Sequence, residues 1–192
     1  DTSQGLIAGR PNGGFFSQQT LTQDRVFFMP IFIPCTGASG NFTVGGFRFR
    51  TGFSGTVNNN TIKMGLYTLN KFGYPSQLIS KSSASSGTST NTDIVATPDV
   101  TSITPGRYAM CIASAGGSTL VVANFNSSGA GGSFYQEGFS DVLTSQRPTG
   151  MFLDNGLSSN ELQTDLSSTT GYVDASGVPF MMITFGETYT GE

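Results

Sequence analysis

Short apolar segments of strand length recur along this chain, and no window repeats apolar residues with the spacing of a helix. Strands are predicted at residues 25–34, 41–51, 61–69, 77–82, 92–97, 106–114, 119–125, 150–153 and 178–186. Clusters of Gly, Ser, Asn and Pro separate most of them. The best helical candidate, residues 160–166, spans one or two turns. This pattern predicts an all-β chain, folded as an antiparallel β-sandwich with long polar loops and little helix.

The segment NFTVGGFRFR carries a sign of strand curvature. Phe42 and Val44 share one face of the predicted strand. Phe47 and Phe49 have the opposite parity, so the phase changes at the two glycines between the pairs. Such a slip is typical of a β-bulge, where glycine accepts unusual backbone angles.

The segment TIKMGLYTL alternates in the manner of an antiparallel strand. Ile62, Met64 and Leu66 line one face. Lys63 and Tyr67 line the other. This alternation predicts a strand with one face in the core and one face in water.

The run FFMPIFIP, at residues 27–34, is apolar on both parities. Pro30 cannot donate a backbone hydrogen bond, so this strand is predicted to lie at a sheet edge or to carry a bulge. Leaving its outward side chains in water would forfeit roughly 1.5–3 kcal/mol each. We therefore expect a homotrimer whose subunit interface includes the following side chains: Phe27, Met29, Ile31 and Ile33. The alternative is that loops of this chain, such as residues 154–176, cover the strand on both sides.

The composition argues against several kinds of function. The chain has no histidine, which removes the Ser-His-Asp and Cys-His catalytic arrangements and most zinc sites. Its two cysteines, Cys35 and Cys111, lie in apolar runs and are interpreted as small buried side chains. The net charge of −3 with no basic run does not favour nucleic acid as a partner. No stretch is apolar enough for a membrane helix. We expect no catalytic residue, metal or cofactor.

A long polar loop, residues 126–141, contains the group of residues that most resembles a ligand site. Its members are Phe134, Tyr135, Gln136, Glu137 and Phe139. Aromatic rings beside amide and carboxylate groups suit sugars, which offer apolar faces and hydroxyl edges. The alternative is that these aromatic side chains fill the core or pack against another subunit.

Five segments of the chain carry a resemblance to a known group of proteins. KMGLYTLNKFGYPSQLISKSS, at residues 63–83, is followed by a Ser/Thr-rich spacer and by TPGRYAMCIAS, at residues 104–114. RVFFMPIFIP and VGGFRFRTG lie upstream, and VPFMMITFG lies near the end. This set resembles strands of bacteriophage tail-fibre and minor virion structural proteins. The chain departs from that pattern at Arg107-Tyr108, where a bulkier aromatic pair is usual, and in its long region between residues 126 and 177.

The resemblance implies a jelly-roll-like sandwich on the surface of a bacteriophage particle, as a tail fibre, spike or head decoration. We expect a non-enzymatic virion protein that attaches the particle to a host receptor or stabilises it. Its expected partners are other virion proteins and a host-surface glycan or receptor. Residues 1–24 are expected to form an N-terminal extension or linker, and residues 25–192 a single domain. The alternative function is a carbohydrate-binding module of a secreted bacterial enzyme or adhesin.

Overall fold

The computed structural model of the chain describes residues 5–7, 16–33, 41–53, 58–116, 120–126, 150–175 and 177–185. These residues form sixteen strands and no helix. The strands β1 to β16 are, in chain order, Gly5–Ile7, Phe16–Leu21, Val26–Ile33, Phe42–Arg50, Thr61–Leu69, Pro75–Ser85, Asp93–Ala96, Ser102–Ile103, Gly106–Ala115, Leu120–Asn126, Gly150–Leu153, Leu157–Ser158, Glu161–Leu162, Val173–Ala175, Gly177–Pro179 and Met181–Phe185. The prediction of an all-β chain is confirmed.

Two layers of sheet pack face to face. One layer is a six-stranded sheet in the order β14-β11-β3-β9-β5-β6. The other contains the order β1-β16-β4-β7, with β8 paired to β4, and next to it the three-stranded sheet β15-β10-β2. All the ladders between these strands are antiparallel. The predicted antiparallel β-sandwich is therefore confirmed, and the jelly-roll topology stays a prediction.

The core between the layers takes alternate side chains from strands of both. Its largest fully buried members include Phe27 and Met64 from the six-stranded sheet and Phe42, Phe47 and Phe49 from β4. These three phenylalanines reach the same core because β4 bulges between them. Along β16, Thr184 pairs with Gly46 but the next residue pairs with Val44, so one residue of β4 is left without a partner. The bulge predicted at the two glycines is confirmed.

Strand β3 lies inside the six-stranded sheet. It pairs with β9 over its whole length and with β11 over Val26, Phe27 and Phe28. The register with β9 passes Pro30 without a bulge. Pro30 lies past the end of β11, where the described residues place no strand that would need its missing N–H donor. The predicted bulge is wrong, and the predicted edge position is wrong over Val26, Phe27 and Phe28, where β11 is a neighbour. Pro30 itself has no described strand beside it on that side, which is how the sheet accommodates the proline.

The side chains predicted to lie at a subunit interface are instead buried in this chain's own core, between the two layers: Phe27, Met29, Ile31 and Ile33. The opposite face of β3 carries Val26 and Phe28, which are also buried. Both faces of the strand are thus covered from within the chain over its first residues. The four core side chains offer no surface to another subunit, and the predicted homotrimer, which no observation tests, has to use a different surface.

The opposite face of β3 is covered by residues 154–172, the cover segment. Leu157, Leu162 and Leu166 of this segment form a second core with Phe28 and Cys111 on the outer face of the six-stranded sheet. The short hairpin of β12 and β13 lies within it. The helix predicted at residues 160–166 is therefore wrong. A turn with positive φ at residues 159 and 160 leads into a strand there, and the apolar side chains point at the sheet.

The cover segment also changes the environment of β5. The alternation of its side chains is as predicted, since Ile62, Met64 and Leu66 enter the core between the layers. The second face is not in water, however, because Lys63 and Tyr67 are 8 % and 0 % exposed. The prediction of a half-buried strand is wrong for this reason.

The N-terminal strands belong to the same sheets as the rest of the chain. β1 pairs with β16, and β2 pairs with β10 over Phe16–Leu21. The predicted boundary at residue 24 stays a prediction. Cys111 is a free, buried thiol, in line with its interpretation as a small hydrophobic side chain. Cys35 lies outside the described residues.

Candidate binding surface

The residues predicted to bind a ligand lie outside the described part of the chain: Phe134, Tyr135, Gln136, Glu137 and Phe139. Their role as a ligand site therefore stays a prediction. The described residues carry another group of aromatic side chains, at one end of the six-stranded sheet. Two of its members lie between the strands predicted at residues 61–69 and 77–82.

Three aromatic side chains are exposed at that end of the sheet. They are Phe32, Phe72 and Tyr74, with exposed fractions of 50 %, 69 % and 44 %. Strands β3 and β5 both run antiparallel to β9, so they run in the same direction and end on the same side. Phe32 lies one residue before the end of β3, and β5 leads directly into the turn that carries the other two. These three side chains form the aromatic end.

The turn between β5 and β6 is held by its own hydrogen bonds. The side-chain oxygen of Asn70 accepts from the backbone N–H groups of Phe72 and Tyr74, at 2.9 and 3.1 Å. The backbone N–H of Gly73 donates to the Asn70 carbonyl at 2.9 Å, and the Asn70 N–H donates to the Tyr74 carbonyl at 2.8 Å. Gly73 adopts φ 85°, which favours glycine. The backbone of the turn that carries Phe72 therefore has little conformational entropy left to lose on binding.

A row of rings connects the aromatic end to the second core. Tyr74 stacks on Tyr172 of the cover segment, with centroids 5.2 Å apart and planes 24° apart. Tyr172 meets the edge of Phe28 at 5.9 Å, and Phe28 meets Tyr67 at 5.7 Å. Such offset and edge-to-face pairs stabilise ring packing beyond the area that they bury. The exposed face of Tyr74 is thus fixed in position from below.

Tyr172 is held in its neutral form. Burial raises its pKa to about 12. Its hydroxyl donates to the Pro75 carbonyl at 3.3 Å. The ring that supports Tyr74 therefore brings no charge to this surface at neutral pH.

Positive charge lies beside the exposed rings. The ammonium of Lys71 stands 4.9 Å from the centroid of the Phe72 ring. Arg107, an exposed residue of β9, lies opposite Phe32 in the register. Flat apolar rings with cations at their margin suit ligands that combine an apolar face with polar or acidic groups, such as glycans and protein side chains. The arrangement offers contacts to a ligand of this kind.

The sequence contains a signal for this surface that strand patterns do not use. The letters NKFGYP place two aromatic residues inside a segment whose Asn, Gly and Pro predict a turn. Turns lie at the surface, so aromatic side chains within one are expected to meet solvent or a partner. Phe32 gives no such signal, because its exposure depends on where β11 and the cover segment end.

The described residues contain no group of three or more His, Cys, Asp and Glu side chains that could hold a metal ion. The same part of the chain has no helix of the length and apolarity needed to span a membrane. No family model matches the chain, and neither a curated protein nor a solved structure shows significant similarity to it.

Proposed function

We propose that this chain is a non-enzymatic protein of a bacteriophage particle surface, a tail fibre, spike or head decoration, and that the aromatic end is the surface by which it attaches. The observation that carries the proposal is the exposure of Phe72, 69 %, on a turn held by its own hydrogen bonds. A large apolar side chain that lies mostly in water contributes little to the core of the chain, and exposed apolar side chains that lie together mark interaction sites.

The architecture is in keeping with such a role. The cover segment gives the sandwich a second apolar core, on the outer face of the six-stranded sheet. Two cores favour a durable scaffold. The sequence segments that resemble phage fibre and minor virion proteins include the turn that bears Phe72 and Tyr74. The particle assignment itself rests on that resemblance.

A second candidate function is a carbohydrate-binding module of a secreted bacterial enzyme or adhesin. The observation that favours it is the stack of Tyr74 on Tyr172, with centroids 5.2 Å apart. A fixed aromatic plane suits the apolar face of a sugar ring. On a phage particle, the same plane would serve to bind a host glycan.

Two experiments test these proposals. The reading frames next to the gene should encode other particle proteins, and a metabolic or secreted-enzyme neighbourhood would reject the virion assignment. A glycan array probed with the purified chain should then show binding that Phe72→Ser abolishes. The matched control is Phe53→Ser, at a phenylalanine that is 46 % exposed. Phe53 lies away from the β5–β6 turn. The backbone N–H of Asn91, which follows the opposite end of β6, donates to the carbonyl of the neighbouring Gly52.

The array result decides which contact the aromatic end makes. Binding lost in Phe72→Ser and kept in Phe53→Ser supports glycan attachment. If the chain binds no glycan on the array, attachment to a protein is the remaining possibility. It is tested by binding of the purified chain to host cells, which Phe72→Ser should abolish. Equal binding by both variants and the unaltered chain, to glycans or cells, rejects the aromatic end as the attachment surface.

A further inference from the structure

A short row of residues crosses the outer face of the six-stranded sheet at the aromatic end. Phe32 of β3 lies opposite Arg107 of β9 in the register. On the other side of β9, the ladder with β5 pairs Thr68 with Tyr108. The next residue of β5, Leu69, is therefore the neighbour of Arg107 on that side. Arg107 is thus flanked by an aromatic side chain on one strand and an aliphatic side chain on the other.

This row lies on the same face of the sheet as the cover segment. Alternation along β3 places Phe32 on the face of Phe28, a member of the second core. Alternation along β9 places Arg107 on the face of Cys111, a member of the same core. The cover segment leaves the row open, since Phe32 is 50 % exposed and Arg107 is also exposed. Neighbouring strands lie about 4.8 Å apart, so the row forms an open platform about 10 Å wide between β3 and β5.

The charge at this end is positive, in contrast to that of the chain as a whole. The segments that form the platform and the turn, residues 30–33, 69–75 and 104–109, contain Lys71 and Arg107 and no acidic residue. The whole chain has 9 basic and 12 acidic residues and a net charge of −3. An acidic ligand is therefore attracted to this end, whereas the negative net charge disfavours its binding elsewhere.

The side chains at this end combine two kinds of contact. The planar guanidinium of Arg107 presents a fork of N–H donors that matches two oxygens of a carboxylate or phosphate group. Apolar neighbours keep water from the sides of such a pair and so strengthen it. The Tyr74 ring, supported from below by Tyr172, offers an open plane on which the apolar face of a sugar ring can stack. Protein partners more often insert a side chain into a pocket.

We propose that the ligand of the aromatic end is an acidic glycan, with a carboxylate or phosphate group of the sugar on Arg107 and a sugar face on Tyr74. Lys71 adds a second positive charge beside the Phe72 ring. This inference rests on the proposed attachment at the aromatic end and goes beyond it, because it makes Arg107 the residue that determines specificity. A neutral glycan gains nothing from the two cations.

A glycan array with matched pairs tests the proposal. Each pair sets a glycan that carries glucuronic acid, galacturonic acid, sialic acid or a sugar phosphate beside its neutral counterpart. The unaltered chain should bind acidic members at least about tenfold more tightly than neutral ones. Arg107→Gln should remove this preference, and Arg107→Lys should remove most of it, because an ammonium lacks the fork. The matched control, Arg50→Gln, removes an exposed arginine from the other layer and should keep the preference.

The outcomes separate this inference from the proposed function. Thermal melting first confirms that each variant is folded. Binding that Phe72→Ser abolishes, but that is equal for acidic and neutral members or unchanged in Arg107→Gln, overturns the inference and leaves attachment at the aromatic end. Binding that Phe72→Ser does not change rejects both. An array without a bound glycan, or a polyglutamate peptide that binds as tightly as the acidic glycans, overturns the inference in favour of a protein partner.

Discussion

Replacing Glu161 by Gln should destabilise the chain, because Glu161 pairs with Lys63, a nearly buried lysine of β5. The ammonium of Lys63 lies 2.5 Å from the Glu161 carboxylate and 2.9 Å from the hydroxyl of Ser83. The Lys63 side chain is 10 % exposed, whereas that of Glu161 is 52 % exposed. Glu161→Gln therefore leaves a nearly buried cation with a neutral partner and one hydroxyl.

The magnitude follows from the unequal exposure of the two partners. Breaking a fully buried pair costs about 3–5 kcal/mol, and exposed pairs contribute about 0–1 kcal/mol. A pair with one buried and one half-exposed member lies between these limits, so we expect Glu161→Gln to lower the free energy of unfolding by about 1–2 kcal/mol. Lys63→Met, which removes the buried charge and keeps an unbranched chain, should change it by less than about 1 kcal/mol.

Urea unfolding followed by far-ultraviolet circular dichroism measures these free energies. In the Lys63→Met background, Glu161→Gln should have almost no effect, which gives a coupling energy of about 1–2 kcal/mol. Lys71→Met, at a lysine on the exposed turn, serves as the control and should be neutral. A loss of stability from Glu161→Gln that is the same with and without Lys63 would refute the reasoning.

Three further outcomes are expected. Gly65→Ala places a Cβ 2.7 Å from Leu162 of the cover segment and 3.1 Å from a backbone carbonyl. It should lower the free energy of unfolding, measured in urea, by about 1–3 kcal/mol, and a neutral result would mean that the cover segment packs loosely. Tyr67→Phe removes the donor to the Gln163 carbonyl at 2.6 Å and should cost about 1 kcal/mol. Burial raises the pKa of Tyr67 and of Tyr172. The stability that their protonated forms contribute is therefore complete below about pH 10 and is lost as the pH rises towards 12. Melting temperatures should fall over that range, and a flat profile would contradict the burial of these rings.

Local patterns in the sequence were sufficient for the strands and for the bulge in β4. The alternation of Ile62, Met64 and Leu66 depends only on the two-residue repeat of a strand, which any sheet imposes. The phase change at the glycines of VGGFRF likewise has one local explanation. These features could be predicted because they need no knowledge of which strands are neighbours.

The position of β3 and the role of the cover segment could not be predicted in this way. The run FFMPIFIP shows that both faces of the strand need burial, and it does not show what buries them. A second subunit and residues 154–176 were both consistent with that need. In the structure the chain's own residues bury the second face, because Phe28 shares the second core with leucines more than 120 positions away in the sequence. Such pairings follow from tertiary packing and not from periodicity.

The aromatic end lies between these two cases. Its turn was predictable from Asn70, Gly73 and Pro75, and the aromatic residues within that turn were visible in the sequence. Its support by Tyr172 was not, because that residue comes from a distant polar stretch. Lys63 was predicted to face water for the same reason, since its cover also comes from far along the chain.

Alkylation of Cys111 by iodoacetamide, in a Cys35→Ser variant, tests most directly whether the cover segment closes the outer face of the six-stranded sheet. Cys111 lies on that face, is fully buried beneath the cover segment, and has a pKa raised by burial. The account predicts that the native chain reacts at least about a thousandfold more slowly than the urea-unfolded chain, at a rate that follows global unfolding. Reaction in the native chain within about tenfold of the unfolded rate would mean that this face is open to water, and would contradict the account.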